Sequence, residues 1–182
     1  MLIRLFFSLL VTFSTYMLSE QRFIIHEGVE REYIIHIPKN LTQDSPLVFV
    51  IHGYTSSAAE MEAYSGMTSI AEREGFIAVY PQGTIDSNGN AFFNVGYEFH
   101  GDSQINDVSF IRELVRSLTK EFNLHRKKAF ATGMSNGGEM SYLLACTSSD
   151  LFRAVAPVAG VLMKGLKDNC DINSPVPLFE IH

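Results

Sequence analysis

An α/β fold, with a mostly parallel, doubly wound sheet and an N-terminal antiparallel hairpin, is predicted by three features of this 182-residue chain. Strand-like and helix-like segments alternate from residue 46 to residue 160, the pattern of a parallel sheet with right-handed crossovers and helices on both faces. Two of the strands, Pro46–Gly53 (PLVFVIHG) and Gly75–Gly83 (GFIAVYPQG), are nearly unbroken apolar runs ending in glycine, as strands buried on both faces are. The length, with 46% hydrophobic residues, suits one compact domain with a layered core.

In chain order, "RFIIHEGVEREYIIHIP" gives two β-branched, aromatic-rich runs around Gly28, a short-turn hairpin whose strands are expected at the sheet edge. Met61–Glu74 has helical spacing and a glycine stop at Gly75. Gln82–Asn106, rich in Gly, Asn and Ser, is about as long as a functional loop becomes in a compact domain. From Asp107 to Phe122, Val108, Ile111, Val115, Leu118 and Phe122 share one helical face, with Arg112, Arg116 and Lys120 on the other. "KKAFATGMS" reads as the next strand, Asn136–Ala145 as a helix, and Phe152–Gly160 as the strand after it.

A net charge of −6 with interspersed signs offers no basic stripe for nucleic acid and no polybasic membrane patch. The start has one positive charge, Arg4, before an apolar run from Leu5 to Phe13. That run is too short to span a bilayer and suits a signal-peptide core. Residues 1–19 are therefore expected to be a signal peptide, with a small-x-small site permitting cleavage after Ser14, and residues 20–182 the mature domain, secreted or periplasmic and without a stable membrane anchor. Export makes the two cysteines, Cys146 and Cys170, expected disulfide partners; two reduced, buried thiols are the alternative. The six histidines show no metal-ligand spacing, and no metal or cofactor is expected.

The chemistry centres on "ATGMSNGGEMSYLLAC", residues 131–146. A Gly-x-Ser-x-Gly match arises by chance in roughly one chain in twenty of this length, so its placement matters more than its presence. Here Ser135 lies where an apolar strand runs into a helix, and Gly133 and Gly137 sit where a sharp turn needs them to lift the serine hydroxyl clear of the sheet. The same turn puts the Asn136 N–H at a helix N-terminus, suited to holding an oxyanion. A second donor is expected from the loop after the earlier strand, "IHGYTSS", with the Tyr54 N–H behind Gly53 as the candidate. An ordinary N-cap serine is the alternative for Ser135, and His52 is expected to fix its loop through backbone hydrogen bonds.

These residues carry a resemblance. From "GVEREYIIHIP" through "PLVFVIHGYTSS", "VYPQGT", "FFNVG", "NDVSFIRELV" and "ATGMSNGGEMSYLLAC" to "AVAPVAG" and "PVPLFEIH", the chain resembles the secreted polyhydroxybutyrate depolymerase and feruloyl esterase group of the α/β-hydrolase superfamily. The resemblance implies a serine esterase acting on a small-molecule or polymeric ester, with Ser135 as nucleophile and the oxyanion hole built from the His52-Gly53 loop and Asn136. Asp107 is expected to be a structural carboxylate at a helix start. Phe93 stands before Asn94 where the family commonly has tryptophan, and this chain has none.

The resemblance also places the catalytic acid a few residues beyond the strand that here reads "VPLFEIH", and the base later still. The chain as given ends at His182. The expectation is a hydrolase domain truncated at its C-terminus, lacking acid and base and inactive as 182 residues; His100, in the long loop, is the outside candidate for the base. A non-catalytic α/β-hydrolase-like binding protein is the reading from another class, and a peptidase or acyltransferase on the same turn a third.

Overall fold

The computed structural model describes residues 19–101, 103–125, 128–166, 170 and 173–182. Residues 1–18 of the expected leader lie outside them. The elements run β1 (Glu20–His26), β2 (Val29–His36), β3 (Leu47–Ile51), α1 (Ala58–Ser65), α2 (Met67–Glu74), β4 (Ile77–Pro81), β5 (Thr84–Ile85), β6 (Ala91–Phe92), α3 (Asp107–Glu121), β7 (Ala129–Met134), α4 (Asn136–Thr147) and β8 (Phe152–Val158). The main sheet has the order β1-β2-β4-β3-β7-β8; β4, β3, β7 and β8 are mutually parallel, and the hairpin joins antiparallel through β2.

Alternation along β3 decides the layering. Leu47, Phe49 and Ile51 face a cluster with Phe110, Ile111, Leu114 and Leu118 of α3 and Met140 and Leu144 of α4. Val50 faces the other way, onto Ala58 and Met61 of α1 and Ala71 of α2. Helices therefore cover both faces, as the alternating pattern predicts.

Four details differ from the sequence reading. The hairpin does not supply two edge strands: β2 pairs with β1 and with β4, and only β1 lies at the edge. The single helix expected over Met61–Glu74 is two, because Gly66, at φ 65°, takes the left-handed conformation that closes α1 and opens α2. On α3 the fully buried positions include Phe110 and Leu114, which the expected stripe omitted. "VPLFEIH" does reach the sheet, pairing parallel outside β8 through Val155–Leu178 and Val158–Ile181, with Phe179 N–H and Ile181 N–H donating to Val155 O and Pro157 O at 3.0 Å each. The contacts are isolated bridges rather than a full strand, and Leu178, Phe179 and Ile181 are 44–70% exposed.

Cys146, at the end of α4, is bonded to Cys170, which ties the segment after β8 to the helix behind the sheet. Closing a loop with a sequence separation of 24 limits the unfolded chain, and its loss is expected to cost about 3 kcal/mol. Denaturant unfolding of the paired Cys146→Ser, Cys170→Ser variant measures this; stability equal to the wild type would refute it.

Candidate active site

The turn between β7 and α4 is built by steric exclusion. A Cβ on Gly133 would lie 2.6 Å from Gly137 carbonyl atoms and 2.7 Å from Ile51 O, and one on Gly137 would lie 2.2 Å from Ile51 O. Neither position accepts a side chain, because the turn packs directly on the end of β3. Ser135 between them has φ 53°, ψ −118°, a left-handed backbone that costs a non-glycine residue about 1–3 kcal/mol. It is exposed, and although it occupies the N-cap position its side chain does not cap α4. Among the described residues no hydrogen bond engages the Ser135 hydroxyl. Its backbone is fixed on both sides: Ser135 N–H donates to Val158 O, and Ser135 O accepts from Glu139 N–H, each at 2.9 Å.

Glycine at 135 removes the strain that alanine keeps. Ser135→Gly is therefore expected to exceed Ser135→Ala in stability by about 1 kcal/mol, or roughly 2–4 °C in Tm for a domain of this size. Equal melting temperatures would contradict strain at this turn.

Asn136 is fully buried, with its backbone N–H at the first position of α4, where the helix has no acceptor for it. Its side chain clamps the next loop: Oδ1 accepts Phe93 N–H at 2.8 Å and Nδ2 donates to Phe93 O at 3.0 Å. The His52-Gly53 loop lies against the same turn, since a Cβ on Gly53 would be 3.6 Å from Ser135 Cβ and 3.2 Å from Met134 O. Tyr54 follows, half-buried, and Thr55 has φ 69°, a conformation a β-branched residue rarely takes. Ala159, at φ 48°, ends β8. The unusual backbone at Thr55, Ser135 and Ala159 thus collects at the same ends of three neighbouring parallel strands, where strain concentrates when a site is built.

His52 is fully buried. Its Nδ1 donates to Gly53 O at 2.7 Å, and its Nε2 accepts Gly83 N–H at 3.0 Å. Both nitrogens hold backbone, as expected of a loop-fixing histidine, and neither is free to take a proton from Ser135. Burial holds the imidazole below its ordinary value of 6.5. The unfolded chain then binds the proton more readily than the folded one just below pH 6.5, so His52 is expected to make stability fall as pH is lowered through that value. Histidine ring NMR titration checks this; a folded His52 that titrates at or above 6.5 would contradict it.

Among the described residues His100 is hydrogen-bonded to Asp86 and not to Ser135. Its Nε2 donates to Asp86 Oδ2 at 3.0 Å, and the imidazole is buried. The same carboxylate oxygen accepts the Tyr54 hydroxyl at 2.6 Å, and Oδ1 accepts Asn88 N–H and Asn90 N–H at 2.8 and 2.9 Å. The Tyr54 hydroxyl, with Asn90 and His100, holds the Asp86 carboxyl well below the usual carboxylate range. The remaining four histidines lie beside other carboxylates: His26 by Glu27, His36 by Glu72, His125 by Asp44 and His182 by Glu180.

Asp107 is more than a helix-start carboxylate. Asn106 caps α3 through Ser109 N–H; Asp107 is buried and bonds Arg31 Nη2 at 2.6 Å and Asn94 N–H at 2.7 Å. The Arg31 guanidinium, itself 4% exposed, lies 3.9 Å over the Phe110 ring. A chain of contacts therefore runs from Arg31 through Asp107 to the Phe93-Asn94 loop and on to Asn136. The Tyr97 hydroxyl donates to Glu139, and burial together with that carboxylate raises the tyrosine well above its ordinary value, so it stays a donor. Sequence reasoning missed Arg31, Asp86 and Glu139. Arg31 had a usable signal in its shared parity with Tyr33 and Ile35 on β2, and Asp86 in the turn sequence "DSNGN"; Glu139 had none. Among the described residues no group of three or more His, Cys, Asp and Glu side chains is placed to hold a metal ion.

Fold and turn together define an α/β-hydrolase. A family model described as the prolyl oligopeptidase family matches residues 62–169, and the chain belongs to that family. By sequence it is 25% identical over 86% of its length to a bifunctional acetylxylan esterase/xylanase of Neocallimastix patriciarum, and 30% identical over 69% to poly(3-hydroxyalkanoate) depolymerase C of Paucimonas lemoignei. It covers 21% and 30% of those two proteins. The solved structure of an acetyl xylan esterase from Aspergillus awamori shares the fold at TM-score 0.67 and 21% identity, over 86% of this chain and 57% of that one.

Proposed function

We propose that this chain carries the nucleophile and oxyanion hole of a carboxylic ester hydrolase. Ser135 Oγ attacks the ester carbonyl, the N–H groups of Asn136 and Tyr54 hold the developing oxyanion, the alcohol leaves, and water releases the acid from the acyl-serine. The observation that carries this reading is Ser135 itself: an exposed, uncapped hydroxyl held at positive φ on a turn whose flanking glycines admit no side chain. Ester rather than peptide chemistry is supported by the relatives, an acetylxylan esterase/xylanase and a poly(3-hydroxyalkanoate) depolymerase. By the same resemblance the substrate is a small-molecule or polymeric ester with a short acyl or aryl group.

The base and acid that activate Ser135 are assigned outside residues 1–182. The support is that His52 spends both ring nitrogens on Gly53 and Gly83, that the buried His100 is bonded through Nε2 to Asp86, and that the Ser135 hydroxyl has no partner among the described residues. The 182-residue chain alone is then essentially inactive. A non-catalytic binding protein is the second reading, favoured by that same unpartnered hydroxyl. Residues 1–19 are assigned as signal peptide and 20–182 as hydrolase domain in an exported protein, a location that the Cys146–Cys170 bond supports. Hydrolysis of p-nitrophenyl acetate by the product of the full reading frame, beside the 182-residue chain and the Ser135→Ala form of each, separates these readings. Turnover by the long product that needs Ser135 supports the esterase; no turnover by either supports the binding protein.

A further inference from the structure

The two N–H groups proposed to hold the oxyanion lie on segments far apart in the chain, Tyr54 after β3 and Asn136 at the start of α4. Such a pair works only at a fixed spacing, since a shift of roughly 1 Å costs up to about a hundredfold in rate. The Tyr54 side has little of its own to hold it. Its loop contains no helix or strand, and Thr55 is kept at φ 69°, a conformation that persists only where neighbours impose it.

One short ribbon touches both sides. β5 and β6 pair antiparallel, Thr84 with Phe92 and Ile85 with Ala91, and a Cβ on Gly83 would lie 2.3 Å from Phe92 O, so the ribbon closes tightly at its base. Ala91 O accepts Thr55 N–H at 2.9 Å. Two residues on, Phe93 is gripped by both polar atoms of the Asn136 amide. The gap between the two donor segments is therefore spanned by residues 91–93. The tip of the ribbon adds a further tether. Asp86, its side chain 2% exposed, closes the turn by accepting Asn88 and Asn90 N–H through Oδ1 and reaches the Tyr54 hydroxyl through Oδ2. Asn90 Nδ2 donates to the same hydroxyl at 2.9 Å. A hydrogen bond to a carboxylate is about twice as strong as a neutral one, and the rigid phenol ring carries its hold to the Tyr54 backbone.

We infer that Asp86 is a positioning residue for ester hydrolysis: it anchors Tyr54 by its hydroxyl, and with the Ala91 and Phe93 contacts the ribbon fixes the spacing of the Tyr54 and Asn136 N–H groups. The inference rests on the esterase reading with Tyr54 as second donor; Asp86 touches no reacting atom.

The test uses the product of the full reading frame on p-nitrophenyl acetate, with active sites counted by a fluorophosphonate so that misfolded molecules drop out. Asp86→Asn keeps an acceptor for the turn N–H groups and puts an amide nitrogen where Tyr54 needs an acceptor. Tyr54→Phe removes the hydroxyl and keeps the ring and the backbone N–H. Each is expected to lower kcat about tenfold with KM within about twofold, less than the roughly 10²–10³-fold lost with an entire oxyanion donor. The double variant is expected to lose no more than either single, because both cut one tether. Should Asp86→Asn not fold, the kcat of Tyr54→Phe still decides whether the tether acts. A merely structural carboxylate would leave kcat per active site unchanged; that result, a rise in KM alone, or additive losses would overturn the proposal and leave the esterase reading intact. Turnover that does not need Ser135, or none at all, would overturn both.

Discussion

Ser135→Ala is expected to lower ester turnover by the full-length product about 10⁴- to 10⁶-fold, with little change in stability. A serine hydroxyl acts with its base as one unit, so removing either member costs about as much as removing both. What remains is the weak catalysis of the oxyanion hole and substrate binding. The fold should survive because the Ser135 hydroxyl bonds nothing among the described residues and alanine keeps the same backbone. The comparison of kcat in wild type and variant, with Tm measured on both, checks the two halves together. A loss of less than about tenfold would move the nucleophile elsewhere.

Asp107→Ala is the second large effect, and it acts on stability. The Asp107 side chain is fully buried and its Arg31 partner 4% exposed, so truncating the aspartate leaves a guanidinium uncompensated in the interior and strips Asn94 N–H of its acceptor. Breaking one side of such a pair typically costs about 3–5 kcal/mol. Replacing both partners together, as Arg31→Met with Asp107→Leu, is expected to cost markedly less, because no charge is then stranded. Urea unfolding of the single and double variants tests this; a single variant within about 1 kcal/mol of wild type would contradict it. Because Asn94 adjoins Phe93, which Asn136 clamps, the folded fraction of Asp107→Ala should also react more slowly at Ser135.

The architecture was legible where local pattern and global packing agree. Leu47–Ile51 and Ile77–Pro81 are apolar on both faces because helices cover both, and the amphipathic stretch from Asp107 ends within a residue of its predicted limit. Gly133 and Gly137 read as turn glycines from sequence, and the close approach of Ile51 O gives the physical reason no alanine could stand there. The misreadings have equally specific causes. Gly66 lies inside a helix-spaced window, where spacing alone cannot distinguish a tolerated glycine from a left-handed break. The partner of β2 on its far side, β4, is some 40 residues away in the chain, and edge or interior status depends on that pairing rather than on composition.

The candidate site was legible in part for the same reason. Ser135, Asn136 and the His52-Gly53 loop belong to contiguous motifs, whereas the Arg31–Asp107–Asn94 contacts and the Tyr54–Asp86–His100 network join residues that only the fold brings together. His100 read as a loop histidine near the cleft. Its burial against Asp86, Phe92 and Phe99 follows from the two-residue pairing of β5 with β6, too short to leave a periodic signal.

The central claim is that Ser135 is the attacking residue, and the most direct measurement is intact-mass and peptide mass spectrometry after reaction with a fluorophosphonate. The account predicts a single adduct on Ser135 in the full-length product, none in its Ser135→Ala variant, and labelling of the 182-residue chain slower by orders of magnitude. An adduct that persists in Ser135→Ala would contradict the assignment of the nucleophile, and equally fast labelling of the 182-residue chain would place the base within residues 1–182.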